Sequence, residues 1–491
     1  MSNDLINRFL LSATDERINI IRNNDNKETL LNWLGSDVYS EYARLADGED
    51  DHHLGIKAAK NMIVIPGVMG SLLQSESKGG IWWMDVRTRK HIDDLRLSAD
   101  GTEDADPDNA IAACAVDTAY EPFLTAILKR EDFGAVVFPY DWRKSLALSA
   151  PRLKELIIQT YTRNGNNPVH LVAHSMGGMM LRVTLMQYGE ELWPMIGRIV
   201  FIATPHYGSP SIAGYLKNHL WGFNLMALLG VYLSRETFRS LWGVLSLLPA
   251  PLGIYPGTRQ ADSAAPSPDE DTPYLHPCSN FDMYDVASWK LDLSQEEAAA
   301  LQKVLNGVAV FYQQLYDYHR QLDQTFKDKM LVIAGVGYKT LFKLAYHSKL
   351  FGAWEKMDKI TSRVEGDPNR DGDGRVPLAS AMLENVAIRY VKGVHGGLPN
   401  IPQVYEAVFS WLEGKSANNL PDTPEGALRG HLSADDTESV APHLDGTARK
   451  QPFSDDPGLW DSETTTPPEL SEMESLLEKG ELAGFQQVRL L

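Results

Sequence analysis

Six short apolar segments, separated by helical stretches, constrain the fold of this chain more than any other feature. The segments are NMIVIPG, GAVVFPY, PVHLVAHS, GRIVFIATP, KMLVIAGVG and NVAIRYVKG, and each is mostly β-branched or aliphatic. Such strands are typical of a parallel sheet that helices cover on both faces. Apolar residues at helical spacing fill several of the intervals, as in EPFLTAILKR and SAPRLKELIIQTYTR. The alternation predicts an α/β fold with a mostly parallel, doubly wound sheet.

Interruptions of this alternation predict the domain organisation. Helical patterning before the first strand predicts an N-terminal helical segment at 1–58. We assign residues 59–206 and 329–414 to the α/β core, with a lid-like insertion at 81–118. The interval 207–328 combines an apolar, aromatic stretch with a polar Pro/Ser/Asp loop, and we expect it to form a helical cap inserted over the sheet.

The C-terminal part and the overall charge narrow the range of partners. Residues 415–491 are acidic and poor in apolar residues, which predicts a disordered tail with a short helix at its end. A net charge of −19 disfavours binding to nucleic acid and a broad electrostatic attraction to anionic lipid. A protein partner for this tail or for the N-terminal helices is a further expectation.

Cysteine content and hydropathy bear on the cellular location. Cys114 and Cys278 lie far apart in the sequence, and we expect free thiols rather than a disulfide framework. The N-terminus MSNDLINRFLLSATDERINI is too polar for a signal peptide. The longest apolar run, 220–233, is shorter than the ~20 residues that span a bilayer. We therefore expect a soluble protein without a transmembrane helix, cytoplasmic or exported without a classical signal peptide.

The segment LVAHSMGGMM places a serine between a strand and a helix. A tight turn there would expose the hydroxyl of Ser175 at the carboxyl edge of the sheet, where open α/β sheets bind ligands. The turn needs small residues two positions before and after the serine, and Ala173 and Gly177 occupy these positions. The amide of Met176 can then stabilise an oxyanion. Ser175 is the candidate nucleophile.

Two later segments supply a candidate acid and base in the order that such a fold requires. DGDGRVPLAS follows KMLVIAGVG, and VHGGLPN follows the last strand-like segment. Asp373 would orient and stabilise the imidazole of His395, which would take the serine proton. Asp371 is an alternative acid. His174 is expected to point to the opposite side of the strand end, and His206 is expected to be structural.

The second oxyanion donor should lie in the loop after the first strand. In IPGVMGSLL, Gly67 and Gly70 allow a backbone turn, and the amide of Val68 is the candidate donor. A glycine turn without a ligand is the alternative.

The segment DPNRDGDG also admits a calcium-loop interpretation. Asp367, Asn369 and Asp371 match the first positions of such a loop, but Leu378 stands where a bidentate Glu is needed. We therefore expect no metal site in this segment.

Together these residues resemble the lecithin:cholesterol acyltransferase and lysosomal phospholipase A2-like family of α/β-hydrolases. The motifs VIPGVMGSLL, IWWMD, FPYDWR, AHSMGG, ATPHYGSP, FRSLWGVLSLLP, DGDGRVPLAS and VHGGLPN occur in family order across roughly residues 60–413. The resemblance implies an α/β-hydrolase fold and action on acyl esters of lipids without a metal or organic cofactor. It also implies a triad of Ser175, Asp373 and His395, with Val68 and Met176 as oxyanion donors.

The chain departs from the family pattern in two places. Arg375 replaces the usual threonine of GDGTV, which changes the hydrogen bonding expected beside the acid. Residues 81–98 contain no cysteine, so the disulfide that holds the lid in secreted members has no counterpart. A different or looser lid is expected.

Apolar residues outside the core suggest a lipid substrate. Aromatic and aliphatic side chains of the cap and lid could line an acyl-chain site, although packing onto the core is the alternative. The cap could also contact a membrane peripherally. The candidate substrate-binding residues are Trp82, Trp83, Trp221, Phe223, Leu228 and Trp242.

The sequence thus predicts a serine lipase or phospholipase A that acts through a seryl ester. Acyl transfer to a lipid alcohol and general carboxylesterase activity use the same chemistry and stay open. A non-catalytic lipid-binding module and a bacterial lipase toxin delivered without a signal peptide are rival hypotheses.

Overall fold

The fold is given by a computed structural model. It describes residues 2–12, 14–34, 39–40, 42–43, 46, 60–83, 91–217, 234–258, 282–338, 340–348, 355–361 and 372–429. The strands are β1 (Lys60–Ile65), β2 (Ser71–Ser75), β3 (Ile81–Trp83), β4 (Ile111–Val116), β5 (Phe133–Val137), β6 (Val169–His174), β7 (Ile196–Ile202), β8 (Met330–Val336), β9 (Leu341–Ser348), β10 (Glu355–Thr361) and β11 (Ala387–Lys392).

The α-helices lie before, between and after these strands. They are α1 (Ser2–Leu11), α2 (Thr14–Arg22), α3 (Lys27–Leu34), α4 (Glu121–Leu128), α5 (Leu146–Arg163), α6 (Met176–Leu192), α7 (Pro210–Lys217), α8 (Arg235–Ser240), α9 (Trp242–Leu245), α10 (Gln295–Gln321), α11 (Gln324–Lys327), α12 (Leu378–Ala381), α13 (Pro402–Leu412) and α14 (Pro424–Arg429).

A six-stranded parallel sheet forms the centre, in the order β11–β8–β7–β6–β1–β5. After β1 the chain forms β5 on one side of it, and it then crosses over to form β6 on the other side. The later strands continue outwards from β6, so the order of the strands reverses direction between β1 and β6. Parallel sheets of this kind bind ligands at the carboxyl ends of the strands, where the direction reverses. The two strands end at the same level, since Ile65 pairs with Ala173. The expected α/β-hydrolase fold with a doubly wound sheet is confirmed.

Helices cover both faces of the sheet. Alternate residues of β1 point to opposite faces: Met62 packs in the apolar layer that includes α4 and α13, and Ile63 packs in the layer that includes α5, α6 and α10. Both side chains are fully buried. Because helices shield both faces of the sheet from water, the side chains on either face of a central strand can be apolar. This explains the nearly continuous apolar sequence of these strands.

Helix α10 belongs to the interval predicted as a cap. Ser294 and Glu297 form a capping box at its start, which satisfies two free amides of the first turn. Its buried residues recur at helical spacing on one face, and they are Leu301, Val304, Leu305, Val308, Tyr312, Leu315 and His319. The helix therefore packs part of the insertion onto the core.

Two small antiparallel sheets lie outside the predicted alternation. One has the order β3–β2–β4 and follows the first central strand. The other is the β9–β10 pair between β8 and the segment that holds Asp373. These strands are short or have polar residues between their apolar ones, so they lack the continuous apolar pattern of the central strands.

The described residues of the N-terminal segment include α1, α2 and α3, which pack together and against α4. No helix of the described part of the chain is long and apolar enough to cross a membrane.

The predicted tail begins at residue 415, and the structure describes it up to residue 429. Helix α14 lies in this described part and packs beside β11. Residues 430–491 lie outside the described residues. The domain boundaries at 58, 206, 328 and 414 stay predictions.

Candidate active site

The turn between β6 and α6 consists of a single residue, Ser175. Its backbone adopts φ +53° and ψ −127°, a conformation that non-glycine residues seldom adopt. A Cβ at Gly177 would lie 2.5 Å from the carbonyl oxygens of Ile65 and Pro66, so this position requires glycine. Helix α6 begins at Met176, directly after the serine. The turn directs the serine towards the carboxyl edge of the sheet.

Ser175, His395 and Asp373 lie within hydrogen-bonding distance of one another. The Nε2 atom of His395 is 2.9 Å from Oγ of Ser175, and its Nδ1 is 2.8 Å from Oδ2 of Asp373. All three residues are buried, with 2–4% of their surface exposed. Three side chains from distant parts of the sequence are therefore aligned as a nucleophile, a base and an acid would be.

Backbone amides hold the carboxylate of Asp373. Its Oδ1 accepts hydrogen bonds from the amides of Arg375 at 2.9 Å and Val376 at 2.7 Å. The replacement of threonine by Arg375 leaves this contact intact, because the amide and not the side chain makes it. The guanidinium instead donates to the hydroxyl of Tyr215 at 3.0 Å. The carboxylate thus keeps Oδ2 for His395.

The loop after β1 forms a turn against the serine. The amide of Gly70 donates to the carbonyl of Gly67 at 3.1 Å, and Met69 in this turn has φ +59°. A Cβ at Gly67 would lie 2.9 Å from Cβ of Ser175, so the loop backbone approaches the serine as closely as glycine permits. Val68 lies at the centre of this turn, and Met176 is the first residue of α6, where amides have no intrahelical acceptor. Both candidate oxyanion donors are thus beside the serine.

Tyr120 and His174 are two site residues that sequence reasoning missed. The Nδ1 atom of His174 is 2.7 Å from the hydroxyl of Tyr120, and its Nε2 is 3.1 Å from the carbonyl oxygen of His395. The expectation that His174 points away from the site is therefore wrong, because its ring centre lies 5.1 Å from that of His395. Its place beside the serine was visible in the sequence, whereas no local pattern marks Tyr120.

Trp82 and Trp83 are both packed inside the protein. Trp82 stacks on His91 with the ring centres 4.4 Å apart, and it is 1% exposed. The indole of Trp83 donates to the carbonyl of Met69 at 3.1 Å, so this side chain holds the loop that carries Val68. Contact of either residue with substrate stays a prediction.

Trp242 begins α9, close to the turn that holds Ser175. A Cβ at the following residue, Gly243, would lie 3.1 Å from the side chain of Met176. The half-buried indole of Trp242 packs over Gly101 of the lid-like insertion. Its contact with substrate stays a prediction. The other candidates from the cap, Trp221, Phe223 and Leu228, lie outside the described residues.

The remaining titratable candidates lie elsewhere or are not described. His206 is buried, and burial holds its pKa well below the ordinary value, so the ring is neutral. Asp371, the alternative acid, lies outside the described residues with most of the calcium-like segment. Within the described ranges no group of three or more His, Cys, Asp or Glu is placed to hold a metal ion. Cys114 is a free thiol.

Comparison with known proteins gives the family. A family model for lecithin:cholesterol acyltransferase matches residues 129–386, which is more than half of the chain. Phospholipase A(1) LCAT3 of Arabidopsis thaliana is 24% identical over 324 residues, which cover 60% of this chain and 67% of that protein. Lecithin-cholesterol acyltransferase-like 4 of the same plant is 23% identical over 361 residues, 67% of this chain and 65% of that protein. Among solved structures, a Tle4–Tli4 complex covers 73% of this chain and 98% of its own, with a TM-score of 0.48 and 16% identity.

Proposed function

We propose that this chain, which belongs to the lecithin:cholesterol acyltransferase family, is a serine hydrolase that cleaves acyl esters of lipids as a phospholipase A or lipase. Membership of the family makes it an enzyme that acts on ester bonds, by hydrolysis or by acyl transfer. The observation that carries the proposal is the continuous series from Oγ of Ser175 through His395 to the carboxylate of Asp373, at 2.9 Å and 2.8 Å.

Each group in this series has one role in the proposed reaction. Nε2 of His395 takes the proton from Oγ of Ser175 as the oxygen attacks the ester carbonyl. Asp373 accepts a hydrogen bond from Nδ1–H of His395, which fixes the tautomer of the imidazole and stabilises the imidazolium. The imidazolium then protonates the leaving lipid alcohol, and a seryl ester is formed. Water activated by the same imidazole releases the fatty acid.

The amides of Val68 and Met176 would bind the negative charge on the carbonyl oxygen during both steps. Met176 lies at the positive end of α6, which favours that charge. Burial of the site raises the strength of these interactions, because little water competes with the amides.

A lipid substrate is supported by the family and by the name of one relative, a phospholipase A(1). Leu241, Val244 and Leu245 of the predicted cap belong to the same buried apolar cluster as Met176, the residue after the proposed nucleophile. Peripheral contact of the cap with a membrane and a protein partner for either end of the chain are parts of this proposal. Location in the cytoplasm, or export without a classical signal peptide, is a further part.

The proposal is tested by labelling and turnover. A fluorophosphonate probe should label the wild-type chain and Ser288→Ala, which removes a serine outside the site, and should spare Ser175→Ala. A panel of phospholipids, neutral glycerides and short esters should be hydrolysed by the same two labelled proteins. Equal labelling of all three, or hydrolysis that survives Ser175→Ala, contradicts the proposal.

Acyl transfer is the second candidate, because the family model and one relative carry that name. It uses the same seryl ester, with a lipid alcohol in place of water. Addition of a long-chain alcohol to the phospholipid assay would then give new ester at the expense of free fatty acid. Release of fatty acid alone would favour hydrolysis.

A further inference from the structure

Three hydrogen bonds connect the two sides of the candidate active site without passing through the triad side chains. The amide of Gly67 donates to the hydroxyl of Tyr120 at 2.8 Å. That hydroxyl is 2.7 Å from Nδ1 of His174, whose Nε2 is 3.1 Å from the backbone carbonyl of His395. We call this series the Tyr120–His174 bridge. It joins the loop of Val68 to the backbone that carries the base.

The chemistry of the end groups fixes the protons along the bridge. A backbone carbonyl only accepts hydrogen bonds, so Nε2 of His174 carries a proton and donates a hydrogen bond to the carbonyl oxygen of His395. In a neutral imidazole Nδ1 is then an acceptor, and the hydroxyl of Tyr120 donates to it. The oxygen of Tyr120 in turn accepts from the amide of Gly67. Every donor and acceptor is matched with a neutral His174.

The bridge contributes one of two hydrogen bonds that fix the backbone of His395. The amide of His395 donates to the backbone carbonyl of Asp373 at 2.9 Å, and the carbonyl of His395 accepts from His174. Both polar groups of that residue's backbone are therefore fixed. Tyr120 and His174 are 6% and 7% exposed, so water is not at hand to replace a lost partner.

We infer that Tyr120 and His174 are positioning residues, which hold the oxyanion loop and His395 in register with Ser175. This inference rests on the proposed function, because it assigns Ser175 and His395 their roles. The hydrogen bonds of the bridge join these side chains to the amide of Gly67, to each other and to the backbone carbonyl of His395. Their effect on the reaction is thus exerted through Gly67 and the backbone of His395.

The test compares two tyrosine hydroxyls that each accept a hydrogen bond from an N–H group. Tyr120→Phe leaves the Gly67 amide and the His174 ring without their partner. Tyr318→Phe is the matched control: its hydroxyl accepts from the indole of Trp193 at 3.1 Å. Trp193 follows the 17-residue helix α6, ~25 Å from the end that begins after Ser175. The control therefore removes a similar bond far from the site.

We expect Tyr120→Phe to lower kcat ~10–100-fold at an unchanged KM, since a small displacement of reacting groups costs this much. Tyr318→Phe should stay within about twofold of wild type. His174→Leu should behave like Tyr120→Phe, and His174→Gln should recover part of the loss, because its amide can still donate to the carbonyl of His395. Thermal melting identifies any variant whose loss reflects unfolding.

A second readout does not depend on turnover. In protein labelled with ¹⁵N-histidine, the Nδ1 proton of His395 is identified by its loss in His395→Gln. Its resonance should shift in Tyr120→Phe and keep its position in Tyr318→Phe. An unmoved resonance together with an unchanged kcat in folded Tyr120→Phe overturns the inference. Failure of wild type to hydrolyse esters or react with fluorophosphonate would instead overturn the proposed function, and the resonance would still decide whether the bridge positions His395.

Discussion

The buried ion pair between Arg17 and Glu121 gives the sharpest test of how the N-terminal helices are held. The side chain of Arg17 in α2 is 3% exposed, and that of Glu121 at the start of α4 is 9% exposed. The guanidinium also donates to the carbonyls of Phe9 at 3.0 Å, Leu10 at 2.8 Å and Val116 at 3.3 Å. One side chain thus connects α1, α2, β4 and α4.

Arg17→Met should strongly destabilise this junction. The substitution leaves the carboxylate of Glu121 buried without its cation, and it removes the hydrogen-bond donor of three backbone carbonyls. Loss of one partner of a buried ion pair lowers the free energy of unfolding by ~3–5 kcal/mol. The double variant Arg17→Met/Glu121→Gln removes both charges, so its loss should be smaller than the sum of the two single losses. The control is Arg8→Met: Arg8 pairs with Glu16 at 2.6 Å, but the two side chains are 67% and 43% exposed.

The assay is unfolding in urea, followed by tryptophan fluorescence and by limited proteolysis of the N-terminal helices. The exposed pair should contribute about 0–1 kcal/mol, and Arg8→Met should therefore shift the midpoint little. A loss below about 1 kcal/mol for Arg17→Met, or strict additivity in the double variant, would refute the claim that burial makes this pair different from Arg8 and Glu16.

The site and its surroundings give three more predictions. Asp373→Asn should lower kcat about 10⁴-fold without unfolding, because the imidazole loses its orienting acceptor, as kinetics and melting curves would reveal. A Cβ at Gly178 would overlap the side chain of Thr204, so Gly178→Ala should cost ~1–3 kcal/mol in urea unfolding, and adding Thr204→Ala should restore part of it. Burial lowers the pKa of both His170 and His319 to about 4. Below pH ~6.5 the unfolded chain therefore binds protons that the folded chain does not, and the free energy of unfolding should fall by ~1.4 kcal/mol per pH unit for each histidine down to about pH 4. His170→Gln should reduce the pH dependence of the free energy of unfolding. An unchanged slope in this variant would argue against a lowered pKa of His170 in the folded chain.

Much of the candidate site was accessible from sequence because local rules fix it. Ser175 stands between an apolar strand and a helix, and the small residues around it are those that a close approach requires. Asp373 and His395 follow later strands, and the carboxyl ends of parallel strands meet at one edge. The order along the chain was therefore enough to predict which side chains the structure brings together.

Other parts of the site depend on contacts that no local pattern encodes. Tyr120 reaches the site because β1 and α4 bring its hydroxyl to Gly67, 53 residues away in sequence. The amide of Arg375 serves Asp373 whatever its side chain is, so a residue difference that looked consequential leaves the bond unchanged. Residues that act through the backbone leave no signature in residue type.

By itself, the sequence determined the layered α/β fold and the identities of the nucleophile, acid and base candidates, because strand and helix periodicity and tight turns depend on neighbouring residues. Only the tertiary structure decided that His174 turns towards His395, that Trp83 holds the loop that carries Val68 and that Arg17 joins the N-terminal helices to the core. The physical reason is range. A side chain's partner in a folded protein is set by three-dimensional packing, and residues far apart in sequence become neighbours only when the sheet and helices have assembled.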